Sequence, residues 1–131
     1  MLTARHGEEW VIRLLPGEDL VAALSAAVEV PAVLLGAIGM VRDARLGYWN
    51  GTEYEQTLVE EPAELAALQG NFAASEGGIV LHAHAVLATR SRVYAGHLLA
   101  ARVAVTAEIA LRPLTGIRLE RGPDGLRPSV S

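Results

Sequence analysis

Apolar and polar positions along this chain group into short runs, and most of the runs have the period of a strand. Residues 9–15, EWVIRLL, form the first, and Pro16-Gly17 ends it. The period then changes. In EDLVAALSAAV, Leu20, Val21, Leu24, Ala27 and Val28 recur at helical spacing, and Glu18 and Asp19 stand at the end where acidic side chains suit the helix dipole. This predicts a helix over about 18–28. After Pro31, AVLLGAIGMV is an apolar, β-branched run and predicts a buried strand. Gly36 and Gly39 inside it suggest a bulge or the close approach of another backbone. ARLGYW reads as the second strand of a hairpin, Asn50-Gly51 as a hairpin turn, and EYEQTLV as a half-exposed returning strand. EPAELAALQGNFAA allows a helix by its leucine spacing, but Gly70-Asn71 and the segment that follows favour a strand. Gly77-Gly78 is a turn. IVLHAHAVLA then reads as a long strand, RSR as a turn region, VYAGHLL as a shorter strand and RVAVTAEIALRPL as the last strand. The Gly- and Pro-rich stretch after Pro113 predicts a flexible C-terminal tail. The sum is an α+β chain: a curved, mainly antiparallel sheet with one main helix packed on it.

Composition narrows this picture. The chain has 131 residues, 51% of them hydrophobic, which suits one domain over 1–131 with its folded part at about 9–113. No apolar run approaches a membrane span, and the first residues lack the pattern of a signal peptide, so a cytoplasmic location is the expectation. With no cysteine, disulfides and thiolate ligands are excluded, and any metal site must use histidine or carboxylate donors. The net charge is −4 and all eleven basic residues are arginine. That balance disfavours DNA as a partner, because unaided binding needs a concentrated basic surface.

The candidate chemistry lies in VLHAHAVLATRSRVYAGHLLA, which holds three of the four histidines. Residues two apart on a strand share a face. His82 and His84 therefore lie together, roughly 7 Å apart at their Cα atoms, while Ile79, Leu81, Ala83, Ala85 and Leu87 make a core face on the other side. A hairpin through Ala88–Arg92 brings His97 back beside them. Three imidazoles with an open position form a catalytic type of metal site. A His-x-His pair alone equally suits two solvated rings; the flanking alanines and Gly96 leave room for an ion. RVAVTAEIAL places Val103, Val105, Ala107, Ile109 and Leu111 on one strand face and Glu108 on the other, among the small residues Ala104, Thr106 and Ala110. Glu108 is a candidate ligand, histidine-orienting group or acid/base, and otherwise an exposed strand glutamate. Asn71 reads as a turn residue or a site residue. Arg42 and Arg45 are solvated cations or anion binders. Trp10, Tyr48, Trp49 and Tyr54 read as core and edge packing, and His6 has no assigned role.

Taken in order, RLLPGEDLVAAL, LLGAIGMVRDARLGYW, ELAALQGNFA, LHAHAVLA and AGHLLAARVAVTAEIAL resemble the PPC (plants and prokaryotes conserved) domain, from about Val11 to Arg112. The resemblance implies a fold similar to that of acetolactate decarboxylase and assembly as a homotrimer. It also implies a divalent metal, typically zinc, at positions matching His82, His84 and His97. By analogy with that decarboxylase, Glu108 is the candidate catalytic proton donor. Plant members follow an AT-hook and work around DNA; here the nearest match, RGP at Arg121–Pro123, lacks the second arginine. The leading expectation is a homotrimeric metal-site protein. The alternatives are a metal-dependent lyase or hydrolase for a small keto-acid-like substrate and, least favoured, a DNA-associated regulator. A second copy and a small molecule are the expected partners, and no membrane is.

Overall fold

The computed structural model describes every residue from Met1 to Ser131. The elements run β1 (Leu2–His6), β2 (Glu9–Leu14), α1 (Leu20–Ala27), β3 (Ala32–Trp49), β4 (Tyr54–Val59), β5 (Ala63–Ser75), β6 (Gly78–Ala88), β7 (Val93–Pro113), β8 (Ile117–Gly122) and β9 (Gly125–Val130). The pairing is antiparallel except for a single parallel contact, Ala74 with Glu120, between β5 and β8. The expected architecture, a mostly antiparallel sheet with one short helix, is what forms.

Four strands close on themselves. β7 pairs with both β3 and β6, and β5 pairs with both β6 and β3. Closure leaves these central strands without open edges, and β1, β2, β4, β8 and β9 extend the sheet outside the ring. The inward faces make one apolar core. Leu81, Ala83, Ala85 and Leu87 of β6 are all buried, as their alternation predicts, together with Ile12, Phe72, Val103, Ile109 and Leu111. No polar or charged residue is buried, so the polar chemistry sits outside this core.

The helix is a lid on that core. Leu20 and Leu24 are buried, and Val28 follows them in. Asp19 is the N-cap and accepts from the Ala22 amide at 2.9 Å. Glu18 does not serve the helix: it accepts from the Leu15 amide at 2.7 Å and ion-pairs with the N-terminal amine at 3.2 Å. Where β6 runs beyond its pairing with β7, the Leu81 amide donates to Ser25 Oγ of α1 at 3.2 Å. No helix is long and apolar enough to cross a membrane.

Four expectations are corrected. AVLLGAIGMV and ARLGYW are one strand, β3. The chain bends between them, where Asp43 takes a left-handed φ of 50° and the register slips, but it does not reverse. VYAGHLL and RVAVTAEIALRPL are likewise one strand, β7. Val105 is not a core residue. Gly39 opposes Ala107 while Val41 opposes Val103, so the extra residues of β7 bulge and turn Val105 outward. The stretch after Pro113 is not a loose tail: β8 and β9 form a hairpin whose Leu119 is buried, and order also extends to β1 ahead of residue 9.

Candidate metal centre

Cross-strand register assembles the site. Gly47 of β3 lies opposite His97 of β7, His97 opposite His84 of β6, and His84 opposite Gln69 of β5. Directly opposed residues share a face, so these positions make one lateral row. His82 stands two residues along β6 on the same face, opposite Asn71 of β5. The ring centroids are 5.4 Å apart for His82–His84, 4.6 Å for His82–His97 and 5.6 Å for His84–His97. One ligating atom from each ring lies within 4.8 Å of the others.

The electrostatics favour the neutral form of two of the rings, His82 and His97. Burial pushes the His82 pKa down to about 4, helped by the Arg121 guanidinium and by His97 and His84. Burial also lowers the His97 pKa, with His84 and Arg121 adding to it. Neutral imidazoles are the form that ligates a cation. The depressed pKa values carry a pH dependence for the metal-free protein. The unfolded chain protonates these histidines from about pH 6.5 downward, whereas folded His82 resists until about pH 4. The unfolded state then binds more protons, so stability is full above pH 6.5 and is lost as pH falls toward 4. Urea midpoints of metal-free protein at pH 7 and pH 5 should differ, and His82→Gln should shrink the difference. An equal drop in the variant would contradict the assigned cause.

A cavity of about 750 Å³ opens beside the triad. Tyr48, Trp49 and Tyr54 wall one side, and the β8–β9 turn, Pro123-Asp124-Gly125, walls another. Tyr54 Oη lies 3.3 Å from His97 Nδ1, a contact of the kind that fixes a ligating ring's orientation. The Asn50-Gly51 turn puts Tyr54 directly opposite Trp49, and their rings meet edge to face at 5.2 Å. These aromatics are not core packing: Tyr48, Trp49 and Tyr54 are all exposed at the site.

Three further residues need placing. Glu108 is on β7, 11 positions from His97, a path of roughly 36 Å along the strand. It lines a separate groove with Val11, Leu35 and Ile38, so the structure does not bring it to the triad of its own chain. Arg121, in sequence only part of an incomplete AT-hook, donates from Nη2 to Asn71 Oδ1 at 2.8 Å. Asn71 is a mid-strand site residue and not a turn residue. The Tyr54 position was foreseeable from the hairpin register. Arg121 carried no local signal, because its role depends on where the C-terminal hairpin folds.

The sequence matches the Plants and Prokaryotes Conserved (PCC) domain over residues 1–115. No curated protein matches it. The structure is similar to that of a plant- and prokaryote-conserved (PPC) protein from Pyrococcus horikoshii, 28% identical, with 93% of this chain and 87% of that chain covered and a TM-score of 0.82. A metal-containing protein from Archaeoglobus fulgidus is 32% identical, with 93% of this chain and 91% of that chain covered and a TM-score of 0.81. A hypothetical protein from Salmonella enterica, 24% identical over 97% of this chain and 96% of that chain, shares the fold with a TM-score of 0.82. With the match spanning residues 1–115 of 131, this chain belongs to the Plants and Prokaryotes Conserved domain family.

Proposed function

We propose that the chain is a homotrimeric metal-binding protein in which His82, His84 and His97 hold one divalent ion, zinc being the best fit. The observation that carries this is the convergence of three ligating atoms within 4.8 Å on one sheet face. Nitrogens on tetrahedral zinc lie about 3.4 Å apart, so the triad needs to tighten by no more than about 1.4 Å. Three neutral imidazoles without a carboxylate suit zinc and its transition-metal neighbours, and not calcium or magnesium. The metal-containing Archaeoglobus fulgidus relative supports the reading. Elemental analysis of the purified protein after incubation with zinc should find close to one ion per chain. Its absence would remove the ligand role of the histidines.

The number three comes from the family resemblance, and an exposed apolar surface supports self-association. Val11, Leu35, Ile38 and Val105 are 52%, 65%, 62% and 59% exposed, and Ile38 joins the two shallow grooves that they line. A contiguous apolar patch of this kind is suited to burial against another copy. Ile38→Glu places a charge in its middle. Light scattering behind size exclusion should report a trimer for the parent and a monomer for the variant; a monomeric parent ends the proposal.

The cavity beside the triad supports a second reading, a metal-dependent lyase or hydrolase acting on a small keto-acid-like substrate, as in the acetolactate decarboxylase analogy. A divalent ion supplies carbonyl polarisation or an activated water in such chemistry. The chain's own contributions are the aromatic wall and Tyr54, whose hydroxyl touches His97. The net charge of −4 gives no electrostatic drive toward DNA.

A further inference from the structure

The hairpin β8–β9 lies outside the family-matched segment, which ends at residue 115, yet it delivers a cation next to the histidines. Arg121 is half-buried, its Nε is buried without a hydrogen-bond partner, and no carboxylate pairs with it. The acid in the cavity wall, Asp124, is already held by Arg127 at 2.8 Å. A guanidinium has donors only, so the group it meets on Asn71 must be the carbonyl oxygen. That sets the amide: Oδ1 is taken by Arg121, and the Nδ2 donors are left without a protein partner. Asn71 lies directly opposite His82, on the face that carries the triad.

From this we propose that Asn71, oriented by Arg121, is the recognition element for a small oxyanion, a carboxylate or a phosphate, bound beside the triad. The inference rests on the metal reading for the ion itself, and it names the class of ligand that reading left open. A divalent ion held by three neutral ligands, with an uncompensated guanidinium behind it, leaves a local excess of positive charge. An oxyanion neutralises that excess and accepts from the Asn71 amide, in the manner of donors preorganised for developing negative charge. Arg121 is a positioning residue here: it acts through the Asn71 amide and through its charge.

The test uses the full chain, metal-free and loaded with cobalt, whose visible spectrum reports the centre. Acetate, inorganic phosphate and neutral acetamide are titrated into the parent, Asn71→Ala and Arg121→Gln, with calorimetry alongside. The parent should bind an oxyanion at least tenfold more tightly than either variant does, and should ignore acetamide. Whether acetate or phosphate binds better identifies the source of the oxyanion. Arg121→Gln should also hold cobalt several-fold more tightly, because a repelling charge is gone; a merely structural arginine would weaken the metal instead. Cobalt bound with equal anion affinity in parent and both variants overturns the inference while the metal reading stands. If cobalt does not bind, the metal reading fails. Phosphate binding to the metal-free parent, lost in Asn71→Ala, would then still support the anion site, and no binding would overturn that too.

Discussion

His97→Ala is expected to weaken divalent-metal binding by a hundredfold or more while leaving the fold intact. A full set of zinc ligands is worth about 10–16 kcal/mol, roughly 3–4 kcal/mol for each, and each 1.4 kcal/mol is tenfold in affinity. His97 is the ligand that joins β7 to the His82–His84 pair on β6, so its loss leaves two donors on one strand. The ring lies on the site face and outside the apolar core, so its removal opens no core cavity. Competition against a chelating dye gives the affinity, and circular dichroism and thermal melting give the fold. Glu108→Gln, in its separate groove, is the matched control and should keep its metal. An alanine variant that holds one ion per chain at parental affinity would sink the three-histidine assignment.

A large loss of stability is expected from Gly70→Ala. Gly70 lies opposite Ala83, between β5 and β6, in the strand that runs beneath the site. A Cβ on Gly70 would stand 2.1 Å from the His82 carbonyl oxygen and 2.7 Å from the Ala83 Cα. Both are backbone atoms, which cannot swing aside as the end of a flexible side chain can. The two strands must separate, with a cost of about 3 kcal/mol or more and a fall in melting temperature of roughly 10 °C. His82 moves with its own carbonyl, so metal affinity should fall as well. Gly77→Ala, in the β5–β6 turn and away from the proposed subunit interface, is the control, since a Cβ there meets nothing within 4 Å. A Gly70→Ala protein that melts within a few degrees of the parent would show that the strands do not approach this closely.

Gly70 also shows why parts of the fold were illegible in the sequence. The pattern around Gly70-Asn71 favours a strand, but the need for glycine at position 70 comes from the backbone of the neighbouring strand. Val105 is the same lesson in reverse. Alternation gives it one face with Val103, Ala107, Ile109 and Leu111, which are buried, and a bulge, defined only by the pairing with β3, turns it outside. Local sequence suggests a reversal between AVLLGAIGMV and ARLGYW, where the structure has a bend at Arg42–Asp43. A left-handed residue can end a strand or bend it, and pairing with β7 on both sides of the bend carries the strand through.

What was legible was local. A period of two assigned the strands, the 3.6 period assigned α1, and one intervening residue put His82 and His84 on one face. The hairpin between β6 and β7 is short enough that His97 could be added to them. Closure of β3, β5, β6 and β7 into a ring was not legible, because it depends on pairings between segments far apart in the chain. The same holds for the exclusion of Glu108 from the triad, the aromatic wall and the Arg121–Asn71 contact. Side-chain period follows from backbone geometry one residue at a time. Register between distant strands, and the approach of the C-terminal hairpin, follow from the packing of the whole chain around its core.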